Sequence, residues 1–270
     1  MTDHSLSHSF DAFSKVIATN QRIIAALILQ DMRTRFGSSY LSYIIAILWP
    51  LTHFAVIVLG YAMLHFVAPV ADDPIIFAAT GALPYMLCLY PARLMSIAIL
   101  QNRQVLAIPC VRPLHLLTAR AVIEILSALL VSFLVFFVFY LLDYEIIPSN
   151  IVDAISALFA TMYFGIGYGV FGIIIIAIFG YFANIVIIFS VIILYFASGI
   201  YIHPGTMTER ALELEYYNPL FNCAVWMRSS YYVGFEDIAI NKGIIFWAGT
   251  SFLCLGLIGE RYLRGKFFTA

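Results

Sequence analysis

A chain of 270 residues is short for two domains and comfortable for one. Hydrophobic residues make up 63% and charged residues 11%, against roughly 45–50% and about 25% in soluble domains. With a mean hydropathy of +0.97, the apolar surface exceeds what a water-soluble globule of this size can bury, so the chain is an integral membrane protein. Disorder, collagen-like structure and small disulfide scaffolds are excluded on the same grounds. A net charge of −1 leaves no basic excess for nucleic acid.

Residues 1–22 are polar and of mixed charge, without the basic start, apolar centre and cleavage site of a secretory signal. The first spanning helix is expected to act as its own insertion signal. Residues 20–37 place apolar side chains at 23, 24, 27 and 28 and charges at 22, 31, 33 and 35, with Gly37 as the helix stop. This pattern predicts an amphipathic helix in the cytoplasmic interface, or a simple positive-inside anchor.

Six segments are long and apolar enough to span a bilayer, which takes about 20 residues. They cover 41–67, 75–99, 117–142, 152–179, 184–202 and 242–260. Their runs are continuous, without the alternation of barrel strands. Pro50, Pro84 and Pro91 remove backbone hydrogen bonds within the first two and predict bends or breaks.

Between the second and third spans, 101–116 is too polar to cross and too apolar for a plain loop. It reads as a short cytoplasmic helix broken near Pro109 and Pro113, or as a membrane-hugging turn. The longest connection, 203–240, is aromatic and predicts one or two short re-entrant or interfacial helices on the outer side. Asn218-Pro219 is a helix-start signal.

Lys15, Arg22, Arg33, Arg35, Arg103, Arg112, Arg120, Arg261, Arg264 and Lys266 gather at one side. Arg210, Arg228 and Lys242 fall on the other, with most of the acidic residues. Both termini and 101–116 are therefore expected in the cytoplasm.

Catalytic patterns are absent. The chain has no GxxxxGK[ST] phosphate loop, no HExxH and no GxSxG. Cys88, Cys110, Cys223 and Cys254 form no CxxC pair and read as small buried hydrophobes. Gly165, Gly167, Gly169 and Gly172 follow no strand, so they read as a helix-packing face rather than a dinucleotide loop. Arg93 in the second apolar run must face protein, a wet cavity or the interface. Glu124 stands four residues after Arg120, a spacing that permits an intrahelical pair; a pore or gate role is the alternative. Among the aromatics, Tyr43, Trp49, Phe54, Tyr85 and Tyr90 are candidates to line a path for sugar faces, with helix packing as the favoured reading for any one of them.

Three stretches carry a family resemblance. MRTRFGSSYLSYIIAILWPL (32–51) is similar to the opening signature of capsular polysaccharide export permeases, with Tyr43, Trp49 and Pro50 in comparable places. Ser42 stands where that family usually has Gly, and Trp49 where it has an acidic residue. The 81–124 region resembles the family at Gly81, Pro84, Arg93, Asn102, Arg112-Pro113, Arg120-Ala121 and Glu124. The 217–235 region resembles its outer NPL segment at Asn218, Pro219, Leu220, Arg228, Gly234 and Phe235.

The resemblance implies an all-α, six-span type-2 ABC exporter permease of the bacterial inner membrane. It implies a homodimer working with two copies of a separate ATPase, which carries the ATP and Mg; no cofactor is expected on this chain. Its cargo would be a lipid-linked capsular or related polysaccharide, and capsule systems add a periplasmic co-polymerase and an outer-membrane export protein. Contacts with the ATPase are expected from the interface helix and coupling segment, at Asp31, Arg33, Arg35, Arg103, Val105, Leu106 and Arg112. The substrate path would include Tyr43, Trp49, Phe54, Tyr85, Tyr90 and Arg93. An outer gate would use Asn218, Pro219, Trp226 and Arg228.

Overall fold

A computed structural model describes residues 2–36, 40–64, 73–198, 204–232 and 240–265. Among them every regular element is helical. In chain order these are α1 (Thr2–Phe36), α2 (Tyr40–Met63), α3 (Pro74–Ser96), α4 (Ala98–Gln101), α5 (Pro113–Leu141), α6 (Ile151–Phe179), α7 (Asn184–Ala197), α8 (Glu209–Glu215), α9 (Pro219–Ser229) and α10 (Lys242–Leu263). Helices α3, α5, α6 and α10 are long and apolar enough to cross a membrane; Ile47–Met63 and Tyr181–Ala197 are shorter apolar helical stretches. The chain is thus a polytopic helical membrane protein.

Helix starts follow local chemistry. Asp73 precedes Pro74 and accepts the Ile75 N–H at 2.8 Å, and Asn218 precedes Pro219 and accepts the Leu220 N–H at 3.0 Å. In both, a short polar side chain takes an orphan donor while proline fills the position that needs none. Asn150 and Asn241 cap α6 and α10 in the same way.

Several local expectations need correction. Helix α1 starts at Thr2, well before residue 20. Pro50, Pro84 and Pro91 break neither α2 nor α3, each of which runs through them as one helix. Pro113 does not interrupt a coupling helix but opens α5 at its first turn. The 101–116 segment is instead the end of α4, a 3-10 turn at Arg103–Ala107 and an irregular bend. Cys88 and Cys223 are buried, but Cys110 and Cys254 are exposed. The Gly37 stop and the far ends of the 41–67 and 184–202 spans lie outside the described residues.

Helix α3 is the hub. It is buried along nearly its whole length and touches α2, α5, α6, α7 and α9. Lipid supplies no hydrophobic drive for helix association, so close packing and interhelical hydrogen bonds must hold such a bundle. Glycines allow the approach. A β-carbon on Gly165 would stand 2.8 Å from the Cys88 carbonyl oxygen, and one on Gly169 would stand 2.6 Å from that of Ala92. One turn on, Gly172 meets Ser96. These three form one face of α6 against α3. On its other side, Gly167 packs on Gly249 of α10, and Val170 on Gly256. Polar bridges join α3 and α6 to α7: Ser96 donates to Asn184 at 2.8 Å, and Tyr168 donates to Ser190 at 2.6 Å.

Residue numbers rise together across the α3–α6 and α6–α10 contacts, so these three helices run in parallel. Numbers run oppositely where α2 and α7 meet α3, at His53–Tyr90 and Tyr61–Phe77, and at Asn184–Ser96 and Tyr195–Tyr85. The C-terminal ends of α1, α3, α6 and α10 therefore share one end of the bundle with the start of α5.

Candidate functional site

A cavity of about 500 Å³ opens between α2, α3 and α5. Among the expected path residues, Trp49, Tyr90 and Arg93 line it. Trp49 is 65% exposed, and Arg93 is also exposed. The Tyr90 hydroxyl lies 3.3 Å from Nδ1 of His53. Phe54 and Tyr85 do not line the cavity. Both are buried in the core, Phe54 edge-on to Phe139 and Tyr85 against Tyr195 at a ring distance of 4.0 Å. The Tyr43 side chain lies outside the described part of the structure.

Adjoining the cavity at Glu124 is a buried ion cluster. The Arg120 guanidinium donates to both carboxylate oxygens of Asp31, at 2.9 and 2.6 Å. Its Nε lies 3.2 Å from Glu124 Oε1, and Nη2 donates to Gln101 at 3.4 Å. Arg120 and Glu124 are each 3% exposed. Arg120 and Glu124 therefore do form the (i, i+4) pair their spacing permits, and the structure adds Asp31 from α1 and Gln101 from α4. Glu124 also lines the cavity, so the cluster connects the N-terminal helix, the end of α4 and the cavity wall.

The expected ATPase-contact residues fall into two groups. Arg33, Arg103 and Arg112 are exposed. Asp31, Val105 and Leu106 are buried: Val105 packs with Leu27 and Ala119, and Leu106 with Leu116 and Leu117. The Arg35 side chain lies outside the described part.

The 204–232 stretch holds a short exposed helix, α8, followed by a buried one, α9. Asn218 caps α9 and also donates to the Leu194 carbonyl at 3.2 Å and the Glu215 carboxylate at 2.8 Å. Asn222 accepts the Asn241 N–H at 2.7 Å, which ties α9 to the start of α10. Arg228 is fully buried, with its guanidinium carbon 3.7 Å from the Phe77 ring centre and Nη2 donating to the Phe77 carbonyl at 3.2 Å. The Trp226 indole donates to Asp153 at 2.9 Å. Lys242 reaches the same carboxylate at 3.1 Å while lying over the Trp226 ring. Asp153 was not foreseen as part of this cluster. In sequence it is an ordinary acidic residue in a helix's first turn, and nothing there signals Trp226, 73 residues away. Among the described residues no group of His, Cys, Asp and Glu could hold a metal ion.

No protein-family model matches the chain. It aligns with two polysialic acid transport proteins KpsM of Escherichia coli, at 25% and 24% identity over 244 residues. Each alignment covers 88% of this chain and 93% of the relative. The chain resembles KpsM. A KpsM likeness of that length takes in the bundle as a whole rather than one motif. The resemblance carried by 32–51, 81–124 and 217–235 thus extends to named polysaccharide transport proteins.

Proposed function

We propose that this chain is the membrane-spanning subunit of an ATP-driven exporter, moving a lipid-linked capsular or related polysaccharide from the cytoplasm across the bacterial inner membrane. The KpsM likeness over 88% of the chain is the observation that carries the reading. The alternation in helix direction supports six crossings by α2, α3, α5, α6, α7 and α10, and the Lys and Arg excess at one end supports placing both termini in the cytoplasm. The chain is not itself the enzyme. ATP and Mg bind two copies of a separate ATPase, and two permease chains pair to form the route. A periplasmic co-polymerase and an outer-membrane export protein complete the capsule assembly. O-antigen or teichoic acid is the nearest alternative cargo.

Arg33, Arg35, Arg103 and Arg112 provide the cationic contacts with the ATPase, on a surface shaped from beneath by Asp31, Val105 and Leu106. Movement there reaches α5 through Arg120, because a buried ion pair broken on one side leaves an uncompensated charge and is costly to separate. Trp49, Tyr90 and Arg93, with Tyr43, border the cargo's path. Asn218, Pro219, Trp226 and Arg228 hold the outer gate.

Gentle purification of the tagged chain from its own membranes, with mass spectrometry of what stays bound, tests the proposal. A stoichiometric ATPase is the expected result. A preparation free of ATPase after mild crosslinking would remove the exporter reading. The apolar cavity favours a second reading, a type-2 permease for small amphiphiles. ATPase activity stimulated by such molecules but not by polymer would select it.

A further inference from the structure

The cavity lining is chemically lopsided. Apart from Trp49, Tyr90, Arg93, Glu124 and Ser127, every described lining side chain is hydrocarbon or thioether. Two of those five are already engaged: Tyr90 with His53, and Glu124 with Arg120. A sugar brings a hydroxyl on nearly every carbon, and each hydroxyl needs a partner once water is removed. This hollow offers too few partners for that. An alkyl chain needs none, and a volume of about 500 Å³ lies within the range of small-ligand sites, roughly 300–1,000 Å³.

Arg93 supplies the polar end. Among the described residues no carboxylate lies within ion-pair distance of it, and Glu124, the acidic residue on the cavity wall, is held by Arg120. A guanidinium at a membrane-embedded cavity needs a counter-charge, and its planar fork suits a phosphate's two oxygens. We propose that the cavity between α2, α3 and α5 binds one anionic phospholipid-type molecule, its acyl chain in the apolar hollow and its phosphate on Arg93. This deepens the export reading and rests on it in one respect. The phosphate and chain come either from the surrounding bilayer or from the cargo's own lipid anchor.

The test uses the full-length chain in detergent and native mass spectrometry, with phosphatidylglycerol and phosphatidylcholine of the same chain length as probes. One phosphatidylglycerol per chain is expected, in preference to phosphatidylcholine. Arg93→Gln is expected to weaken phosphatidylglycerol binding about tenfold and to leave phosphatidylcholine unchanged. Arg93 is exposed, so this change removes no core packing. Ser127→Phe, which fills the hollow, is expected to reduce binding of both. Equal binding of the two lipids, or full phosphatidylglycerol binding by Arg93→Gln, overturns the site whatever the chain exports. A short oligosaccharide on a phospholipid anchor then separates the sources. Displacement of bound phosphatidylglycerol supports the cargo's anchor as occupant. Its failure to displace overturns that source and leaves a bilayer lipid in the site.

Discussion

Arg120 and Asp31 stand 89 residues apart and meet in a two-oxygen ion pair of 2.9 and 2.6 Å, closed on its other side by Glu124. Removing the guanidinium leaves two buried carboxylates facing each other, whereas removing Asp31 leaves one pair intact. Arg120→Gln is therefore expected to cost about 3–5 kcal/mol and Asp31→Asn less. Thermal unfolding in detergent measures both, and a double-mutant cycle isolates their coupling. Equal and small losses would show that the pair carries no stability.

The buried and exposed residues of the 103–112 stretch predict different failures. Val105→Asp puts an unpaired charge against Leu27 and Ala119 and is expected to loosen the contact between α1 and the 3-10 turn, which faster proteolysis near residue 105 would reveal. Arg103→Ala and Arg112→Ala remove exposed charges and are expected to leave unfolding within about 0.5 kcal/mol of the parent. On the proposed function, those two lower ATPase capture in a pull-down.

Gly169 and Gly60 make a matched pair. A β-carbon on Gly169 meets Ala92 and Met95, while one on Gly60 meets nothing within 4 Å. Gly169→Val is expected to force α6 from α3 at a cost of at least about 1–3 kcal/mol, with loss of monodisperse protein on gel filtration. Gly60→Ala is expected to be neutral or to stabilise α2 by up to about 1 kcal/mol. Identical behaviour of the two variants would contradict the α3–α6 packing described above.

The 204–232 stretch carries a pH dependence. Burial raises the Glu215 carboxyl above its ordinary 4.5, partly offset by the Asn218 hydrogen bond. A raised acid favours the folded segment when protonated, so that contribution is full below about 4.5 and is lost as pH rises through the higher folded value. Hydrogen-exchange protection across 204–232, taken relative to the intrinsic rate at each pH, is expected to fall over that rise, and Glu215→Gln to abolish the fall. Asn218→Ala also removes the cap of α9 and is expected to cost about 1–2 kcal/mol at any pH.

Much of the architecture was legible along the chain because its causes are local. Continuous apolar runs dictate membrane helices, Asn218-Pro219 announces a helix start, and the spacing of Arg120 and Glu124 permits their pair. The prolines misled, since Pro50, Pro84 and Pro91 each remove one hydrogen bond without ending a helix that the surrounding bundle supports. Assignments that depend on which face turns inward could not be read this way. Phe54 and Tyr85 are chemically as fit for a path as Trp49 and Tyr90, yet two are buried in the core and two border the cavity. Asp31 looks like any charge on an amphipathic helix until α5 brings Arg120 to it. Where the spanning helices are apolar on nearly every side, hydrophobicity cannot orient them. Glycine contacts, buried ion pairs and a few interhelical hydrogen bonds do so, and each needs a partner from a distant helix.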